Sequence, residues 1–178
     1  PNEDQGYLMI GVQLPDGASL ERTGATLHQV AEIAMAAPGV ENVVALGGMS
    51  VLDSNSALAN AAVSYVILKD WGVREKAEGQ DLRSIVLGLM KKLEVLQDGR
   101  AFVIVPPAIQ GIGNAGGFQM QVEQKDGSFD YAKLQAVTDT MIAQASTQSA
   151  LTNLVTSFRA GAPHVRVDVD RVKAESLR

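Results

Sequence analysis
The side chains able to do chemistry are few and scattered. His28 precedes Glu32 by one helical turn, a single pair that could touch a metal. One pair does not make a site, so it reads as a solvated helix face. Asp168 and Asp170 share a strand face beside Arg166. They read as an edge ion-pair ladder or a helix cap, since acid–base work would need a buried dyad. Ser50, Ser54 and Ser56 have no local base. Gly111-x-Gly113-x-x-Gly116 matches the dinucleotide fingerprint, but a strand is expected after it and Pro106-Pro107 stand before it. That motif must instead follow a strand and open a helix. No catalytic set, metal site or cofactor is expected, and the chain does not read as an enzyme.

A different set offers binding chemistry. Tyr7, Met9, Gly11 and Gln13 alternate with Leu8, Ile10, Val12 and Leu14, and alternate residues of a strand leave on opposite faces. The aliphatic set is expected in a core. The other set mixes a thioether, an amide and a bare glycine, which suits an adaptable contact surface. Val44 and Leu46 share a face of the next strand, and Phe102 and Ile104 share a face of the fourth, with Pro106 just beyond. Tyr65, Met49 and Val51 complete the set. Converging, these faces would form an apolar cleft with sparse polar groups, the usual form of a small-molecule site. The alternative is a packing face for another domain. Soluble thiol reagents should then label cysteines placed along each strand with a two-residue period.

The elements that must position these residues follow from pattern. The first strand runs to a turn at Pro15-Asp16-Gly17. Ser19 caps a helix with Leu20, Thr23, Leu27, Val30 and Ala34 at helical spacing, ended by Pro38-Gly39. Strands are expected over 40–46 and 61–68, with a long mobile loop over 47–60 between them. A charged loop spans 72–79. Leu82, Ile85, Val86, Leu89, Leu93 and Leu96 mark an amphipathic helix, and Ala101 to Val105 a strand. The order is β-α-β-β-α-β.

Beyond a Pro- and Gly-rich stretch over 106–117, strands are expected over 118–122, 151–158 and 165–169. Helices are expected from Asp130 and after Asp170. This run repeats the first: Val12 to Gly17 lines up with Val122 to Gly127, and Val40 to Val44 with Leu151 to Val155, at a near-constant offset. The fold class expected is α+β, a ferredoxin-like β-α-β-β-α-β subdomain over 1–107 followed by a partial second copy over 108–178.

Composition narrows the partners. The chain has 178 residues, a net charge of −5 and only 4% aromatic residues. It has no basic block, which argues against nucleic acid. There is no cysteine, so disulfides and thiol catalysis are excluded. No apolar run approaches the ~20 residues that span a bilayer. A chain beginning at Pro1 is expected to be a processed product or a piece of something longer, with any membrane segments outside it.

Four stretches carry a family resemblance: PNEDQGYLMIGVQLPDGASLERT (Pro1 to Thr23), LKDW (Leu68 to Trp71), PPAI followed by a glycine-rich GGF (Pro106 to Phe118), and FRAGAPHVRVDVDRVKAESL from Phe158. In order and spacing they are similar to the large periplasmic loop in the C-terminal half of resistance–nodulation–division (RND) efflux transporters. The resemblance implies a complete porter subdomain, then the first part of the next, ending where a docking domain is inserted. It implies drug/proton antiport by a homotrimer in the bacterial inner membrane, with a periplasmic adaptor and an outer-membrane channel, acting on amphiphilic small molecules. Met9, Gln13 and Phe102 fall on family pocket positions, Val44, Leu46 and Tyr65 on deep-pocket positions, and 47–60 on a switch loop. Val44, Met49 and Val51 stand where well-known multidrug members carry phenylalanines, and Gly11 replaces a larger residue. A reading from a different class is a stand-alone ferredoxin-like ligand-sensing or assembly domain.

Overall fold
The computed structural model describes residues 3–53, 55–107, 118, 120–151, 154–161 and 168–176. Strand β1 (Tyr7–Gln13) leads through the Pro15-Asp16-Gly17 turn into helix α1 (Leu20–Met35). Ser19 caps that helix, its hydroxyl accepting from the Arg22 N–H at 3.2 Å. Strands β2 (Val40–Ser50) and β3 (Ser56–Leu68) form a long hairpin. A short helix α2 (Trp71–Arg74) and helix α3 (Leu82–Leu93) lead to β4 (Arg100–Ile104). Asp70 and Asp81 cap these two helices by accepting from Gly72 N and Ser84 N. Helices α4 (Tyr131–Ala145) and α5 (Arg171–Ser176) follow, capped by Asp130 and Asp170.

The four strands make one sheet in the order β2-β3-β1-β4, with every neighbouring pair antiparallel. Two β-α-β units split around the hairpin give this order, so the unit is α+β and ferredoxin-like. Leu8, Ile10, Val12 and Leu14 project to one side and are buried with Leu27, Val30 and Ala34 of α1 and Ile85, Leu89 and Leu93 of α3. Thr23 fastens α1 to the sheet, its hydroxyl donating to the Ala59 carbonyl at 2.7 Å. Leu20, expected on the helix's apolar stripe, lies on its open side and is 54% exposed.

The stretch over 47–60 corrects an expectation. It is not a long loop: β2 continues to Ser50 and β3 starts at Ser56, so only a tight turn separates them. Small residues in 47–60 mimic a loop locally, yet their backbone groups pair across the hairpin, as in Met49↔Ala57 and Ser50↔Ser56. Gly47 and Gly48 sit at a bulge where the register shifts. Gly48 has φ +81, the left-handed region that an L side chain resists. Gly48→Ala should therefore cost about 1–2 kcal/mol and misdirect the hairpin. Gly47→Ala meets only ordinary contacts, Leu20 at 3.7 Å and Leu27 at 3.8 Å, and should be near neutral. Urea midpoints of the two variants check this, and equal effects would refute the bulge assignment.

The second half departs from the expected repeat. Its two helices form, but the described residues of 118–122 and 151–158 carry no strand. Extended segments become strands only when another strand satisfies their N–H and C=O groups, and α4 accordingly buries none of its residues. The Gly111–Gly116 motif and the Val165 and Val167 positions lie outside the described residues. Every described hydrophobic residue that is buried falls between Leu8 and Ile104.

Candidate functional site
Helices cover one face of the sheet. The other carries residues of the set expected to bind, and strand register places them in rows. Val44 pairs with Tyr65, Tyr65 with Met9, and Met9 with Ile104. The next row is Leu46, Val63, Gly11 and Phe102. Residues from four separate strands thus share one surface, and no ionisable group other than the Tyr65 phenol interrupts either row.

A second cluster forms there. Met9, Val51, Val63 and Ile104 are buried together, with Tyr7, Met49, Tyr65 and Phe102 packed around them. Val51 comes from the hairpin turn, so the tip curls over the sheet and buries part of this face. Val44 and Leu46 stay outside the cluster at 45% and 41% exposure. Pro106 is buried just past β4. The curl also corrects the labelling expectation. Residues 8 to 12 of β1 are buried on both faces, so a two-residue labelling period is not expected along that strand.

Gln13 plays a more structural part than its sequence suggests. Its Nε2 donates to the Leu14 carbonyl at 3.1 Å and the Asn60 carbonyl at 3.0 Å. The amide therefore closes the end of β1 against β3.

Two ionic features escaped the sequence. Arg159 Nε pairs with Asp16 at 3.0 Å and its Nη2 lies 3.8 Å from Asp53. Asp53 also accepts from the Ser50 hydroxyl at 2.8 Å, so the hairpin tip is tied at two points. Arg74 is buried against Asp4 at 2.8 Å. That pair lies beside a separate cleft of about 910 Å³, lined among others by Trp71, Gln80, Asp81, Val86 and Val105. None of the ten residues expected to bind substrate lines it. His28 and Glu32 form an exposed pair at 3.5 Å, as a solvated helix face requires. Among the described residues no three His, Cys, Asp or Glu converge as metal ligands.

A ferredoxin-like α+β module with helices on one face and an apolar cluster under a hairpin tip on the other is the class that the fold and the site define. Residues 1–177 match the AcrB/AcrD/AcrF family model. The chain belongs to that family of RND efflux transporters. It is 28% identical over its whole length to the toluene efflux pump membrane transporter TtgE of Pseudomonas putida. It is 31% identical, again over its whole length, to the solvent-resistant pump membrane transporter SrpB of Pseudomonas putida. The multidrug resistance protein MdtF of Escherichia coli is 27% identical over 99% of the chain. The chain spans about 17% of the length of each of these relatives. Among the described residues no helix is long and apolar enough to cross a membrane.

Proposed function
We propose that this chain is a periplasmic porter region of a proton-driven RND pump that exports drugs, solvents or other amphiphilic compounds. One observation carries the reading: two apolar rows from four strands meet under a hairpin tip in an apolar cluster of Met9, Met49, Val51, Tyr65, Phe102 and Ile104 on the helix-free face. Such a surface recognises substrates by desolvation and shape, with few directional polar contacts. Val44 and Leu46 extend it outward, Gln13 borders it and Pro106 follows its last strand. The chain does no covalent chemistry of its own in this reading. The energy comes from membrane segments elsewhere in the pump, which works as an inner-membrane homotrimer with an adaptor and an outer-membrane channel. The 1–107 unit is one porter subdomain, and 108–178 begins the next. The relatives' roles in toluene efflux, solvent resistance and multidrug resistance support the substrate class.

The test is export by the full-length protein that carries this chain, in a host lacking its own efflux pumps. Accumulation of an amphiphilic dye should fall on expression and recover when an uncoupler collapses the proton gradient. Tyr65→Ala should change the relative export of several dyes by severalfold at unchanged protein level. Dye accumulation unaffected by expression would overturn the reading and favour a sensing or assembly domain.

A further inference from the structure
The helix-free face has a glycine at the middle of its central strand. Gly11 stands in register between Val63 and Phe102. It is not among the residues with positive φ, so backbone geometry does not demand glycine there. Glycine inside a strand also weakens it and commonly marks a close approach by another group. Here the group is Phe102. A Cβ on Gly11 would fall 2.2 Å from Phe102 Cε2, 2.4 Å from Cζ and 3.1 Å from Cδ2. The edge of the ring occupies the space where a side chain would stand. That ring is the mobile end of a side chain with two rotatable bonds, not fixed backbone. A larger residue at position 11 would therefore be accommodated by driving the ring away from the sheet.

We infer that Gly11 is a specificity-determining residue: by letting Phe102 settle onto the strand, it sets how deep the apolar face lies there and admits rigid multi-ring amphiphiles. The inference rests on this apolar face being the substrate surface. Depth matters because the neighbours leave no other slack. Met9, Val63 and Ile104 are buried around the ring, and Val51 closes over them. A ring displaced by one methyl group must then rise toward the substrate side. Broad molecules that need the full depth lose contact, while a monocyclic arene still fits.

The experiment uses the full-length protein in the efflux-deficient host, with a four-ring cationic dye and toluene as probes. Gly11→Ala, Phe102→Ala and the double variant are compared at matched membrane levels. Gly11→Ala should reduce dye export on the order of fivefold to tenfold, about what one lost ring contact is worth. Toluene export should change by less than about twofold, within the cost of losing no packed contact. In the Phe102→Ala background the Gly11→Ala change should have no further effect, since no ring remains to displace. Equal loss of both probes, or an undiminished effect without Phe102, overturns the inference. Export of neither probe by the wild type overturns the transport reading itself. A proton spectrum of the 178-residue chain gives an independent check that needs no transport. The Gly11 α-protons should be shifted upfield by the ring and return to ordinary values in Phe102→Ala; unshifted protons in the wild type refute the contact.

Discussion
Replacing Ile10 with alanine should lower the unfolding free energy by about 4 kcal/mol. Ile10 is fully buried at the centre of β1, paired to Ser64 on one side and Val103 on the other. Its side chain faces the core that α1 and α3 close. Deleting three carbons loses their transfer free energy and leaves a cavity that a sheet hydrogen-bonded on both sides cannot collapse. Leu46→Ala is the matched control on the opposite face. Leu46 is 41% exposed, so its truncation should cost about 1 kcal/mol or less. Urea denaturation followed by circular dichroism measures both. An Ile10→Ala cost as small as that of Leu46→Ala would mean that the helix-covered face is not the core.

The second large effect is expected at Arg74. Its Nε donates to the Lys69 carbonyl at 2.7 Å, and its Nη1 donates to the Gln80 carbonyl at 3.3 Å and pairs with Asp4 at 2.8 Å. One side chain thus holds the amino-terminal segment, the end of β3 and the approach to α3. Arg74→Met should destabilise by about 3–5 kcal/mol, because the partners keep their desolvation and lose their donor. Arg74→Lys should recover only part, since an ammonium cannot reproduce the planar fork.

Acidity gives a separate signature of the same pair. Burial alone would raise the Asp4 carboxyl above its ordinary value of 3.8, but the Arg74 hydrogen bond, the Gly6 N–H, the Arg74 charge and Trp71 together hold it lower. A carboxyl depressed in the folded state contributes stability above its unfolded pKa and loses it as pH falls through the folded value. The wild type should therefore lose stability as pH drops below about 4, and Asp4→Asn should flatten that part of the profile. Identical acid profiles for the two proteins would remove Asp4 from the account.

Local signals in the chain settled the elements and their order. Alternation in Tyr7 to Leu14 defined a strand with an aliphatic side, and that side is the core. Ser19, Asp81, Asp130 and Asp170 each begin a helix because a short polar side chain caps N–H groups within the next three residues. The β-α-β-β-α-β order follows from such signals, and so does the split sheet. Met9, Val44, Leu46, Phe102 and Ile104 were also legible as types, since each shares a face with another of them or with like residues on its own strand.

Tertiary structure decided how those faces met. Gly47 to Asn60 reads as a loop because its residues are small, yet cross-strand hydrogen bonds between distant residues make it a hairpin. Val51 at the hairpin tip packs with Met9, Val63 and Ile104 and buries part of a face that alternation alone assigns to an open cleft. Arg159 reaching Asp16 and Asp53, and Arg74 reaching Asp4, join partners far apart in sequence whose spacing carries no period. The seating of Phe102 on Gly11 depends on the register between β1 and β4. Periodicity and capping act within a few residues, and so one sequence displays them directly. Register, hairpin curl and long-range ion pairs are fixed only when the whole sheet minimises exposed apolar area and unpaired polar groups together.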